Sequence, residues 1–318
     1  MSKTTIKAIL DVIDANGRFL VASHESPDGD AYASTLALTL ALRGIGKDVV
    51  AFNRDGVVAP FGFLPGSDSI VADLEKEKPF DVGFVVDAGE LHRAGEGLRE
   101  KCRILVNIDH HPYSEDFGEY YFVDEQACST GVLIYRLLKA KELPITTEIA
   151  INIYTTILSD TGSFRYSNAD SEAFAVASEM IGLGLDAWEI ASHLYETQPR
   201  ERLLLLGDAL RTLTISRCGK FASVCVSCEM LSKYNAGPEH TDGFVNYPRS
   251  IEGVEVAIFF REISPNLYKV GFRSKGAVDV GALARELGGG GHHNAAGAKV
   301  EGSIDTVRNE VFKRLGIL

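Results

Sequence analysis

An alternation of short apolar runs with helical stretches constrains the fold of this chain more than any other feature. RFLVAS (18–23) passes into the polar loop HESPDGD, and the stretch STLALTLALRGIG follows, with Gly44 and Gly46 as its stop signal. KDVVAFN (47–53), FDVGFVVDAG (80–89) and CRILVNIDHH (102–111) are further runs. The last two are apolar almost throughout, as strands buried on both faces are. This rhythm predicts a mostly parallel sheet covered by helices, with its ligand site beyond the carboxyl ends of the strands. With 45% hydrophobic and 24% charged residues over 318 positions, the chain can bury cores for two domains of ordinary size and is not disordered.

After residue 127 the pattern turns helical, through STGVLIYRLLKAKEL, TTEIAINIYTTILSDTG (with a threonine placed to cap it) and SEAFAVASEMIGLGL. Residues 186–214 read as helix, Pro199, helix, and make the candidate connection between domains. From 216 the runs KFASVCVSC, GVEVAIFFREI and LYKVGFRS predict strands, followed by a helix at VGALARELG and the segment GGGGHHNAAGAKV. The expected fold class is α/β: an N-terminal mostly parallel sheet flanked by helices, and a smaller C-terminal α/β domain.

Acids and histidines fall at the ends of these runs. His24, Asp28 and Asp30 follow the first, Asp87 closes the third, Asp109, His110 and His111 close the fourth, and Asp160 ends a helix. A single Asp after a strand is commonly a turn former or helix cap. Five acids with three histidines, all at element ends, are not explained by capping. Carboxylates converging on one pocket repel unless cations neutralise them, and oxygen and imidazole donors without thiolates suit Mn²⁺ or Mg²⁺.

Other classes are excluded or reduced. The formal charge of −12 opposes a broad basic surface for long nucleic acid. The excess acid lies in residues 1–215, with 33 acidic to 19 basic residues, while 216–318 carry 11 and 13. Acids interrupt the apolar N-terminal stretch and no run approaches the ~20 apolar residues of a membrane span, so a cytoplasmic protein without a signal peptide is expected. The five cysteines show no framework spacing; Cys225 and Cys228, a CxxC inside a β-like run, read as buried thiols pointing to opposite faces. His92, His193 and His240 read as surface or helix-end residues, Phe259, Phe260 and Phe272 as core, and the loop 240–250 carries no assignment.

HESPDGDA, VVDAG, IDHHP and LSDTGSF resemble the four ordered motifs of the DHH phosphoesterase superfamily, and GGGGHHNAAG resembles the signature of the C-terminal domain of its RecJ-like branch. Together they span nearly the whole chain, and its size is most similar to the bacterial nanoRNase group of oligoribonucleases and pAp phosphatases. The resemblance implies a catalytic metal-binding domain (1–188), a helical linker (189–214), a substrate-binding domain (215–318) and an active site in the cleft between them. It implies two Mn²⁺, with Mg²⁺ or another divalent ion as the alternative. His24 and Asp28 would hold one ion, Asp30, His110 and Asp160 the other, and Asp87 both. Asp109 would orient a ligand histidine and His111 would face the substrate phosphate, so that Asp87, Asp109 and His111 are the catalytic set. Arg273, Ser274, Gly290, Gly291, His292 and His293 would bind substrate, the four glycines at 288–291 letting backbone N–H groups approach an anion. Ala33 stands where the family has glycine, which places one methyl group near the metal loop.

The implied reaction is hydrolysis of short oligonucleotides, or of 3′-phosphoadenosine 5′-phosphate (pAp), by a hydroxide held between the two ions. The implied partners are short single-stranded RNA or DNA or nucleotide phosphates, with no long duplex and no membrane, and a homodimer stays open. A c-di-AMP or pApA phosphodiesterase, a manganese-dependent pyrophosphatase and a non-catalytic nucleotide-binding regulator remain the alternatives.

Overall fold

The structure is a computed structural model in which residues 5–112, 114–291 and 293–316 are described. The chain divides into two compact units, Met1–Thr197 and Gln198–Leu318. The first contains α1 (Ile6–Ala15), β1 (Arg18–Ser23), α2 (Gly29–Gly44), β2 (Asp48–Phe52), β3 (Ile70–Val71), β4 (Phe80–Val86), α3 (Leu91–Ala94), α4 (Leu98–Lys101) and β5 (Cys102–Asp109). β6 (Tyr120–Val123), α5 (Thr130–Ala140), α6 (Thr147–Asp160), α7 (Ser171–Gly182) and α8 (Ala187–Tyr195) complete it.

Its sheet runs β3-β2-β1-β4-β5-β6, with every pairing parallel. The apolar runs are continuous because both faces are buried. Along β1, Phe19 and Val21 enter one apolar cluster while Leu20 and Ala22 enter another. The first cluster gathers α1, α2, α5, α6, α7 and α8; the second is closed by Leu74 and by the short α3 and α4, so the long helices cover one face only. Side-chain caps fix where several of the helices start. Asp28 accepts from the N–H groups of Asp30 and Ala31, Ser129 from Val132 and Thr146 from Ile149. The N-terminal stretch, read only as lacking a signal peptide, forms α1 under a Thr5 cap.

The second unit contains α9 (Arg200–Arg211), β7 (Thr214–Ile215), β8 (Phe221–Val226), α10 (Cys228–Lys233), α11 (Asn246–Arg249), β9 (Val256–Ser264) and β10 (Leu267–Ser274). α12 (Val280–Glu286), β11 (Gly290–Gly291), β12 (Ala295–Glu301) and α13 (Ile304–Arg314) follow. The sheet order is β11-β12-β10-β9-β8-β7, antiparallel except between β8 and β9. α12 and α13 pack on one face with Phe260 and Phe272, and α9 packs near Phe259 on the other. The two helices around Pro199 are therefore divided: Ile190 of α8 is core of the first unit, Leu205 and Ala209 of α9 core of the second.

The CxxC reading is corrected. β8 ends at Val226, and Ser227 captures the N–H of Met230, so Cys228 opens α10 instead of continuing the strand. Cys225 and Cys228 are half-buried; it is Cys102 and Cys128 that are buried.

Candidate metal centre

β1 and β4 lie side by side where the strand order reverses, the position at which an open parallel sheet leaves a crevice beyond its carboxyl ends. The loop leaving β1 carries His24 and Asp28, and Asp30 lies in the first turn of α2. Asp87 follows β4 directly, Asp109 ends β5, and Asp160 ends α6. Asp87 holds a left-handed backbone (φ 55°), a strained conformation for a non-glycine residue, and its N–H donates to Ile108 O at 3.0 Å.

The imidazoles are oriented from behind. His24 Nδ1 lies 2.7 Å from Glu25 O, and His110 Nδ1 lies 3.1 Å from Ala127 O. Each ring thus donates from Nδ1 to a carbonyl and turns the Nε2 lone pair inward. His24 Nε2 is 3.9 Å from Asp87 Oδ2. His110 Nε2 is 3.5 Å from Asp30 Oδ2, 3.6 Å from Asp87 Oδ1 and 3.7 Å from Asp160 Oδ2. Two groups with ligand spacing result, His24/Asp28/Asp87 and Asp30/His110/Asp160. Asp28 is both cap and group member, so the capping explanation and the ligand explanation hold for the same side chain.

A third group, Asp87/His110/His111, has the same spacing but a different chemistry. His111 Nδ1 lies 2.8 Å from Asp109 Oδ1 and 3.4 Å from Asp87 Oδ1. Burial would lower the His111 pKa, yet these carboxylates outweigh it and raise it well above the ordinary value. A protonated ring has no lone pair for a cation. Asp109, fully buried, also accepts from the N–H groups of Gly89 (3.0 Å), His110 (2.8 Å) and His111 (3.1 Å), so it holds the turn and belongs to neither ligand group.

Electrostatics mark the site as one that needs positive charge. Burial, then the charges of Asp87, Asp160 and Asp28, push the Asp30 pKa well up. Burial takes Asp160 to about 6, with His110 opposing and Asp28 and Asp87 adding. Asp87 goes the other way: burial is outweighed by its hydrogen bond to His111 and the charges of His111, His110 and His24. Oxygen and imidazole donors with excess negative charge fit hard or borderline divalent cations.

A pH dependence follows for the metal-free protein. Asp160 binds a proton in the fold between its unfolded value near 3.8 and about 6, and this stabilisation is lost as pH rises through 6. His111, raised above 6.5, contributes stability that is full below 6.5 and lost as pH rises through its folded value. Both act in one direction, so the EDTA-treated protein should unfold at a higher temperature at pH 5.5 than at pH 8. Saturating Mn²⁺ should shrink that difference, since cations replace the protons; a metal-free unfolding temperature that rises with pH contradicts the charge pattern.

Several contributors carry no obvious sequence signal. The N–H groups of Thr130 and Gly131, at the start of α5, donate to Asp30 Oδ2 (2.7 Å) and Oδ1 (3.2 Å). The Thr130 hydroxyl donates to Asp87 Oδ1 at 2.9 Å, and Ser34 donates to Asp30 Oδ1 at 3.0 Å. Buried Asn53 donates to His24 O, and Asn168 donates to Asp160 O and Oδ2. Gly29 lies against Ser159, where a Cβ would fall 2.5 Å from Oγ. Ala33 is fully buried in an apolar cluster with Tyr32, Leu36 and Leu64.

In the second unit the structure gathers the C-terminal candidates at one end of the sheet. Arg273 and Ser274 close β10; the Arg273 guanidinium donates to Phe272 O at 3.0 Å, and the Ser274 hydroxyl donates to Asn294 Oδ1 at 3.0 Å. Gly290 and Gly291 pair with Gly297 and Ala296 of β12. A Cβ on Gly289 would lie 2.1 Å from Gly297 O, and one on Gly291 2.5 Å from Ala295 O, whereas Gly290 faces open space. The run is thus a packed strand edge. His293 Nε2 is 3.0 Å from Gly276 O. His292 lies outside the described residues. His92 is exposed, His193 stacks on Phe63 at 4.4 Å, and His240 accepts from Gly237 N–H. Among the described residues no helix is long and apolar enough to cross a membrane.

Residues 18–157 match the model of the DHH family, N-terminal domain, and residues 221–316 match the DHHA1 domain. The chain is 32% identical over 305 residues to the bifunctional oligoribonuclease and PAP phosphatase of Thermus thermophilus, covering 93% of this chain and 89% of that protein. The Bacillus subtilis protein of the same description is 30% identical over 295 residues, with 92% of each covered. Among solved structures, an exopolyphosphatase-related protein from Bacteroides fragilis aligns with a TM-score of 0.89 and 28% identity, covering 97% and 94%. RecJ of Thermus thermophilus, solved with Mn²⁺, aligns with a TM-score of 0.51 and 17% identity over 97% of this chain and 53% of its own, which speaks to the fold.

Proposed function

The chain belongs to the DHH family of phosphoesterases, and from that premise we propose that it is a two-metal hydrolase of short oligoribonucleotides and pAp. The observation that carries the reading is the pair of ligand-spaced groups sharing one seam, with Asp87 Oδ2 toward His24 and Oδ1 toward His110. The printed descriptions of the Thermus and Bacillus relatives favour these substrates. In this reading His24 and Asp28 would hold one ion and Asp30, His110 and Asp160 the other, with Asp87 contributing to both.

Two divalent cations held by these residues, Mn²⁺ in our reading, would supply a nucleophilic water of lowered pKa and positive charge to offset that gained by the phosphoryl oxygens. The protein residues do the rest. The carbonyls of Glu25 and Ala127 keep both ligand imidazoles in the Nδ1–H form, so that each offers Nε2. Asp109 and Asp87 face the His111 Nδ1 and orient the ring, and we assign its Nε2–H to a phosphate oxygen of the substrate. Within the second unit, we assign Arg273, Ser274 and the glycine edge at 290–291 to phosphate binding. Arg is the side chain suited to bidentate phosphate contact. A formal charge of −12 fits short substrates held locally over long duplexes held by a broad surface.

The test is a parallel assay of the Mn²⁺-loaded protein on pAp, pApA, c-di-AMP, RNA of two to ten nucleotides and pyrophosphate. Phosphate release from pAp together with mononucleotide release from the short RNA is the expected result. Hydrolysis of pyrophosphate alone overturns the substrate assignment, a preference for c-di-AMP or pApA redirects it, and no hydrolysis at all returns the chain to a binding role.

A further inference from the structure

We propose that Thr130 is a positioning residue that couples the two ligand groups, a role that rests on the metal-centre reading above. Thr130 is fully buried at the first position of α5, whose N-cap is Ser129. The opening N–H groups of a helix have no partner within it and require an external acceptor. At α5 that acceptor is Asp30: Thr130 N–H reaches Oδ2 and Gly131 N–H reaches Oδ1. The positive end of the helix dipole therefore faces the Asp30 carboxylate.

The same residue sends its hydroxyl to a different carboxylate. Thr130 Oγ1 donates to Asp87 Oδ1, the oxygen that also faces His110 Nε2. This contact fixes the rotation of the Asp87 carboxyl, because once Oδ1 is held, Oδ2 is the oxygen directed to His24 Nε2. One donor of Thr130 thus sets Asp30, which lies in one group only, and the other sets Asp87, which lies between both.

The placement of α5 has its own support. Ser129 Oγ lies 3.1 Å from Thr156 Oγ1, and a Cβ on Gly131 would fall 2.0 Å from that same Thr156 oxygen. The α5 start is therefore seated hard against α6, the helix that ends in Asp160. The Ser-Thr-Gly tripeptide divides the work: Ser129 caps, Thr130 reaches both carboxylates, and Gly131 permits the approach.

Thr130→Val keeps the shape and backbone donor and removes the hydroxyl; Thr130→Ala removes it without the β-branch; Thr130→Ser keeps it. The readouts are Mn²⁺ affinity by isothermal titration, kcat and KM on pAp, and the unfolding temperature of the metal-free protein. Groups that orient metal ligands typically affect affinity or activity by 10–100-fold, so the Val and Ala variants should lose about that factor in Mn²⁺ affinity and in kcat. KM and the folded secondary structure should be retained, and Ser should recover most of both losses. Wild-type Mn²⁺ affinity in the Val and Ala variants overturns the role of Thr130, as does a Ser variant as impaired as Val. A wild-type protein that takes up no Mn²⁺ is the distinct result that removes the metal-centre reading and this proposal together.

Discussion

Replacing Asp87 with alanine should lower pAp hydrolysis by at least about 10⁴-fold, an effect of roughly 5.5 kcal/mol on the barrier. No other ligand candidate has the same reach. Its two carboxylate oxygens face different histidines, and it is the residue shared between the His24/Asp28 group and its neighbour through His110. In the proposed two-ion arrangement, loss of either ion's other ligands weakens one position, whereas loss of Asp87 weakens both and also removes one of the carboxylates that face His111. Mn²⁺ titration should show both binding events weakened, while circular dichroism retains the wild-type helix content. Residual activity within tenfold of wild type would sink the assignment of Asp87 to both ions.

The second large effect is expected at a residue with no side chain. Gly29 opens α2 directly before Asp30 and directly after Asp28, and a Cβ there would lie 2.5 Å from Ser159 Oγ and 2.7 Å from Ser159 Cβ. Ser159 precedes Asp160 at the end of α6. Gly29→Ala must therefore push apart the elements carrying Asp28, Asp30 and Asp160. A misplacement of about 1 Å in a reacting constellation costs on the order of 10²-fold. The Gly29→Ala protein should lose about that much activity while remaining folded. Adding Ser159→Gly, which removes the obstructing atoms, should restore much of it. A double variant no better than the single one shows that the collision is relieved in some other direction.

The parallel sheet was legible because strands buried on both faces read as unbroken apolar runs, as in β4 and β5. The histidines and carboxylates were legible because side-chain chemistry is written in the sequence and their places at run ends are countable. Strand order was not legible. Nothing in the period of β1 tells that its neighbours are β2 and β4. Backbone donors were equally silent, since the N–H groups of Thr130 and Gly131 owe their role to where α5 starts, not to residue type. Gly29 and Ala33 show the limit of motif reading. The residue that departs from the family pattern lies in a core cluster, while an unremarked glycine at the start of the same helix carries the steric constraint. The CxxC failed for a related reason: a single serine hydrogen bond ends the strand within the apolar run, and periodicity does not see caps.

The reversal of strand order at β1 and β4 also has a consequence for how the protein comes into being. The candidate ligands on opposite sides of that reversal span His24 to Asp160, so the groups with ligand spacing come together only after nearly the whole first unit has closed its most distant contacts. Such non-local pairings form late and slowly. A nascent or half-unfolded chain carries all six candidate donors but has not yet gathered them. Catalytic competence is in this way tied to completion of folding, and the fold itself serves as the safety catch.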